Sequence, residues 1–325
     1  DPFTPPSAQE IREQQKQLEP MRKIFSPVFV GMENIPRELF ELDRPIILVA
    51  NHTMYGLFDF SFIISHILEK RNLLVRGLAH PIIWGEGIAP SNAENETKSK
   101  TQEAPKQNDT EQNANVRNAN SMMETFTKFG AVSVKPRNIY RLLQKNEAVL
   151  LFPGGAREAY KRKGEKHTLH WSDEAEFTRL GQRFNAIVVP VACVGQDDNF
   201  RILIDSAEWR NVPYVGNRIE KSLEEANVGA VRTWKGSEVA AKEAETFIPP
   251  LSLPTAPHRL YFKFGTPIDL NVKHTELSKA NTEKSSAEIN QLLYSYIRSQ
   301  LESEIETLNQ YRKLDSFESP SRRLL

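Results

Sequence analysis

Apolar residues in this chain fall into short, nearly continuous runs, separated by stretches in which they recur every third or fourth position. The runs Val28–Val30, Pro45–Ala50, Leu73–Leu78, Ala131–Val134, Ala148–Leu151 and Ile187–Ala192 predict strands, most without the polar alternation of a half-exposed sheet. His258–Phe264 alternates as a further strand. Between the runs, helical spacing predicts helices at Ala8–Leu18, Leu57–Glu69, Ser121–Phe129, Asn138–Gln144, from Asp173 to Phe184, and Glu283–Lys313. The last carries Ile289, Leu293, Tyr296, Ile297, Leu301, Ile305 and Leu308 along one stripe. The helix over 57–69 is apolar on every side, which predicts burial. Pro190, inside its run, predicts an edge strand or a bulge. Strand alternating with helix predicts an α/β fold, with a mixed, largely parallel sheet flanked by helices.

Composition divides the chain. Residues 1–20 are polar and proline-punctuated, a loose lead-in; 21–314 form the principal domain, and 315–325 a tail. Within the domain, 89–120 has almost no apolar residues and predicts a disordered insertion, because it cannot bury enough surface to offset its ordering entropy. Residues 205–255, rich in charge and proline, have no assignable pattern. With 42 basic and 42 acidic residues in 325, net charge is zero, which gives nucleic-acid binding no global support. The longest strongly apolar stretch, 56–68, is interrupted by Asp59 and His66 and falls short of the roughly 20 residues of a bilayer span, so the expected membrane contact is peripheral. The chain starts at Asp1, and an N-terminal targeting segment is expected to have been removed or left out.

Two strand exits carry chemistry. His52 follows the run 45–50, and Asp59 falls in the first turn of the next helix. A carboxylate in a buried helix needs a partner, and a histidine held by a carboxylate can act as a general base. The same residues also fit a helix-start anion and a loop imidazole. The second exit is Leu151-Phe152-Pro153-Gly154-Gly155-Ala156-Arg157-Glu158-Ala159. Gly154 and Gly155 allow close backbone approach to a ligand, and Arg157 adds a planar cation beside Glu158. Arg137, after Lys135-Pro136, is a second cation behind a strand, or a surface arginine. The basic run Lys161, Arg162, Lys163, Lys166 fits a phosphate-bearing carrier, an anionic membrane or a solvated loop. His167 and His170 lack the companions of a metal site, so no metal is expected. The sequence lacks a Walker A motif, a Gly-x-Gly-x-x-Gly fingerprint and a Gly-x-Ser-x-Gly elbow, which removes nucleotide and serine-hydrolase chemistry. Cys193, in an apolar strand, reads as inert packing.

In order along the chain, Asn51-His52, Gly130–Arg137, Phe152-Pro153-Gly154-Gly155-Ala156-Arg157 and Ile187–Val191 resemble the four sequence blocks of the glycerolipid acyltransferase superfamily. Pro153–Ala159, Arg162-Lys163-Gly164-Glu165 and Phe264-Gly265-Thr266-Pro267-Ile268 are similar to one branch, the plastid phytyl ester synthase and diacylglycerol acyltransferase-like proteins, over roughly residues 20–314 and their acyltransferase half only. The resemblance implies the acyltransferase αβ fold and transfer of a fatty acyl group from acyl-CoA or acyl-ACP, as co-substrate with no further cofactor, to a lipid alcohol at a membrane surface. His52 would be the base and Asp59 its orienting partner. Asn51, Arg137, Gly154, Gly155, Arg157 and Glu158 would line the substrates. Six residues separate His52 from Asp59, against four in most of the superfamily, which leaves open a catalytically inactive lipid-binding protein. Gly154 stands where enzymes acting on glycerol phosphates usually carry Glu, which favours diacylglycerol or phytol over a lysophospholipid. By the same resemblance, a plastid or endoplasmic-reticulum location and a part in triacylglycerol or phytyl ester synthesis are expected.

Overall fold

The computed structural model describes residues 6–56, 58–79, 126–173, 176–209, 212, 249–318 and 320–323. The expected insertion at 89–120 and much of 205–255 lie outside the described residues.

Among the described residues, eight strands form one mixed sheet. These are β1 (Val28–Val30), β2 (Ile46–Ala50), β3 (Arg76–Ala79), β4 (Val132–Ser133), β5 (Ala148–Leu151), β6 (Ile187–Val194), β9 (Tyr261–Phe264) and β10 (Ile268–Asp269), in the order β1-β9-β6-β2-β5-β3-β4 with β10 also on β6. Two more strands, β7 (Phe200–Ile204) and β8 (Leu251–Pro254), pair antiparallel apart from it, which places both ends of the unassigned stretch. β2 is flanked by β5 and β6, both parallel to it, and every residue of β2 is buried. Period-2 geometry sends its side chains to two cores. Ile46, Leu48 and Ala50 meet Phe62, Ile63 and Ile67 of α2 (Asp59–Arg71). Ile47 and Val49 join the opposite layer, with Leu142 of α3 (Pro136–Gln144), Phe177 of α5 (Glu176–Arg183) and Leu293, Ile297 and Leu301 of α6 (Ser286–Leu314). This sandwich is the expected α/β fold, and α2 is buried nearly all round as its composition requires.

Two expectations are corrected. The helix expected over 8–18 in a loose lead-in runs on through Pro20 as α1 (Ala8–Phe25), opened by a Ser7–Glu10 capping box, and Leu18, Met21 and Phe25 pack on the α2-side core. The C-terminal segment is anchored as well. Asp315 accepts from Arg259 Nη1 and from the Tyr261 hydroxyl, both at 2.8 Å, and Glu318 accepts from Arg312 Nη2 at 2.6 Å and pairs with His258 Nδ1 at 2.7 Å. Finally, β6 is an interior strand despite Pro190. The Pro190 carbonyl accepts from Gly265 N–H, so its ring nitrogen faces the same side, in the gap between the segments paired with β10 and β9, where no ladder donor is required.

Because β2, β3, β4, β5 and β6 run parallel, their carboxyl ends share one edge of the sheet. In open α/β sheets that edge is where ligands bind.

Candidate active site

His52 and the Phe152–Gly155 turn leave adjacent strands at this edge, and the imidazole lies flat on Phe152, ring centroids 3.8 Å apart and planes within 3°. His52 Nδ1 is 3.0 Å from Asp59 Oδ2. The longer His–Asp spacing is absorbed by a left-handed turn: Tyr55 and Gly56 have φ of 64° and 58°, which folds the loop back until the first residue of α2 meets the ring. Gly56 is required twice over there. Its backbone disfavours a side chain, and a Cβ would lie 3.0 Å from His52 Nδ1.

Asp59 is 1% exposed. Its Oδ2 also accepts from Thr53 N–H (3.0 Å) and the Thr53 hydroxyl (3.3 Å), and its Oδ1 accepts from Phe60 N–H (2.7 Å). Burial alone would raise its pKa, but His52 and these donors hold it below the ordinary carboxylate value. An anionic, acceptor-only Asp59 accepts a hydrogen bond from Nδ1–H, which leaves the ring's lone pair on Nε2. The His52 side chain is 20% exposed.

The other candidate residues divide. Asn51 is buried, with both amide ends committed across the sheet: Nδ2 donates to the Cys193 carbonyl and Oδ1 accepts from Cys193 N–H, each at 2.8 Å. Gly155 N–H is committed to the Phe152 carbonyl at 3.0 Å. Gly154 leaves room for Glu158, since a Cβ there would stand 2.1 Å from Glu158 Cδ. Glu158, in α4 (Gly155–Ala159), is fully buried and accepts from two backbone donors, His52 N–H at 2.8 Å and His170 N–H at 2.9 Å. Burial pushes its carboxyl up, and nearby Lys161 draws it back. Arg157 forms a two-point pair with Glu165, at 2.8 and 2.5 Å. Arg137 is exposed in the first turn of α3, behind β4 and three strands from β2, about 14 Å across a sheet of 4.8 Å spacing. The structure therefore brings His52, Asp59, Gly154 and Glu158 together and leaves Arg137 apart.

The basic run is held by carboxylates. Lys161 pairs with Asp197 at 3.4 Å, Lys163 with Glu208 at 2.7 Å, and Lys166 with Asp198 at 2.8 Å. Lys161 is 1% exposed, and Asp197, at the exit of β6, also takes Met54 N–H (2.7 Å) and His167 N–H (2.9 Å). Sequence reading missed both. Lys161 was hidden inside a charge run, while Asp197 carried one usable signal, its place at a third parallel strand exit. Among the described residues no three His, Cys, Asp or Glu side chains gather as metal ligands, and no helix is long and apolar enough to cross a membrane.

Residues 111–223 match the family model described as diacylglycerol acyltransferase. The chain is 32% identical over 287 residues to Phytyl ester synthase 2, chloroplastic, of Arabidopsis thaliana, covering 88% of this chain and 35% of that protein. It is 29% identical over 280 residues to Phytyl ester synthase 1, chloroplastic, of the same plant, covering 86% and 34%. The chain thus spans about a third of the length of these relatives.

Proposed function

We propose, from the similarity of this chain to the diacylglycerol acyltransferase family model and to the two phytyl ester synthases, that it is an acyltransferase of that kind and moves a fatty acyl group from a thioester to a neutral lipid alcohol. The observation that carries this reading is the His52–Asp59 pair, 3.0 Å apart at the carboxyl edge of the sheet. With Nδ1–H held by Asp59, Nε2 accepts the hydroxyl proton as the alcohol oxygen attacks the thioester carbonyl. The buried Asp59 charge stabilises the imidazolium. Collapse of the tetrahedral intermediate expels the thiolate, which recovers the proton from Nε2. No acyl-enzyme forms, because the base acts on the acceptor directly. That the pair forms despite the long spacing supports the catalytic reading over the inactive one.

The relatives' names support phytol as acceptor and the family's supports diacylglycerol, both neutral alcohols. The donor is acyl-CoA or acyl-ACP, with no further cofactor in the scheme. Both relatives are named chloroplastic, which favours the plastid over the endoplasmic reticulum. Substrates this apolar support a membrane-surface setting, and among the described residues no helix is long and apolar enough to cross a membrane. Purified protein given palmitoyl-CoA or palmitoyl-ACP with phytol, diacylglycerol or a lysophospholipid in mixed micelles should make phytyl ester or triacylglycerol, and His52→Ala should not. Ester formation that survives His52→Ala, or acylation of the lysophospholipid alone, refutes the reading.

A further inference from the structure

The backbone of His52 is held at both of its polar atoms by side chains that never reach solvent. Its N–H donates to Glu158 Oε2 at 2.8 Å, and its carbonyl accepts from Lys161 Nζ at 2.6 Å. Each clamp residue is anchored in turn. Glu158 Oε1 takes His170 N–H at 2.9 Å. Lys161 Nζ donates to the Glu158 carbonyl at 3.1 Å and lies 3.4 Å from Asp197, whose Oδ1 takes Met54 N–H at 2.7 Å. Glu158 is 0% exposed and Lys161 1%, so neither can touch a substrate in this arrangement.

The loop being held needs such support. Residues 51–53 lie beyond the ladder of β2 and lead into the left-handed residues Tyr55 and Gly56. Apart from Phe152 and Asp59, what fixes the ring is the orientation of its own backbone. A catalytic group displaced by about 1 Å can lose 10²-fold in rate.

We propose that Glu158 and Lys161 are positioning residues that orient the His52 imidazole by clamping its backbone, and that positions 154 and 158 compete to supply the carboxylate of that clamp. The competition is geometric. An ideal Cβ on Gly154 lies 2.1 Å from Glu158 Cδ and 2.4 Å from Glu158 Oε1, so a side chain at 154 would fill the volume the carboxyl now occupies. Aspartate at 154 carries its carboxyl carbon about 1.5 Å from that Cβ, close to the present place of Glu158 Cδ. The bare Cα at 154 is then explained by Glu158, whichever acceptor is used.

The inference rests on His52 being the base, and the test separates the two. Ester synthesis is measured with palmitoyl-CoA and phytol or diacylglycerol for wild type, His52→Ala, Glu158→Ala, Lys161→Met, Gly154→Asp, and Gly154→Asp combined with Glu158→Ala. In the same proteins the His52 Nδ1 proton is followed by NMR. Glu158→Ala and Lys161→Met should lose about 10²-fold in kcat with KM within threefold, and their Nδ1 proton should broaden or shift upfield. Gly154→Asp alone should be impaired by crowding. The double substitution should regain at least tenfold over Glu158→Ala and restore the Nδ1 signal, a rescue that a merely structural role would not produce. If His52→Ala keeps activity, the base assignment falls. If His52→Ala is inactive while Glu158→Ala keeps both kcat and the Nδ1 resonance, only the clamp falls. Should Glu158→Ala fail to fold, the double substitution decides: a folded double with wild-type-like signal supports the clamp, and a folded double whose Nδ1 signal is lost overturns the shared carboxylate.

Discussion

Asp59→Asn is the sharpest single test of the site. The carboxylate satisfies four donors: His52 Nδ1–H, Thr53 N–H and the Thr53 hydroxyl at Oδ2, and Phe60 N–H at Oδ1. An amide has only one accepting end. With its oxygen toward His52, its NH2 faces Phe60 N–H and a buried donor goes unmet. With its NH2 toward His52, Thr53 N–H is orphaned and the imidazole must take the other tautomer, which removes the Nε2 lone pair. Either way one buried backbone donor is left unsatisfied, at about 1–3 kcal/mol. Loss of the charge also removes what stabilises the imidazolium. The expected result is a folded but less stable protein whose kcat falls by about 10²–10⁴, the range general-base catalysis supplies, with KM little changed. Thermal melting and steady-state ester synthesis check both parts. The acid limb is informative too. The Asp59 pKa is lowered, so its charge contributes stability above the unfolded value of 3.8, lost as pH falls through the folded one. Asp59→Asn should therefore flatten stability against pH in that acid range. A variant with kcat within threefold of wild type would refute the assignment of Asp59 as the partner of a catalytic His52.

Three further outcomes are expected. Gly56→Ala should cost about 1–2 kcal/mol for its left-handed backbone and lower kcat by pressing on Nδ1 from 3.0 Å; an unchanged melting temperature and rate would contradict the turn described. His66, buried and stacked on Phe29 at 3.6 Å, has its pKa pushed down from 6.5 to about 4 by desolvation, with Glu69, Lys70, Arg22 and Arg71 nearby. The unfolded chain takes that proton first, so stability is full above pH 6.5 and declines toward pH 4. His66→Phe should remove this decline, measured by urea unfolding at pH 7 and pH 5, and an identical slope in both proteins would count against it. For Arg157 and Glu165, a double-mutant cycle with Arg157→Gln and Glu165→Gln should give a stability coupling of about 0.5–3 kcal/mol; additive effects would mean that the two-point contact contributes nothing.

The chain by itself determined the layers and the strand exits. Unbroken apolar runs such as Ile46–Ala50 can only be strands covered on both faces, and the stripe from Ile289 to Leu308 can only be a helix laid against a sheet. His52 and the Gly154–Gly155 turn were legible because catalytic groups and tight turns sit where apolar runs stop. What the tertiary structure alone decided were the partnerships, because they join residues remote in sequence or depend on backbone angles no spacing rule encodes. Two left-handed residues made a six-residue gap close a His–Asp pair. Asn51 turned inward to Cys193, 142 positions away, and Arg157 turned to Glu165. Lys161, one cation in a run that looked solvated, was buried beneath the His52 carbonyl, because the chain after α4 returns under the loop it follows by more than a hundred residues. Pro190 fits an interior strand only because one side of β6 is shared by two short partners with a gap between them. Local pattern fixes which segments fold and where they end; which charges are buried, and against what, depends on contacts that form only once the sheet is assembled.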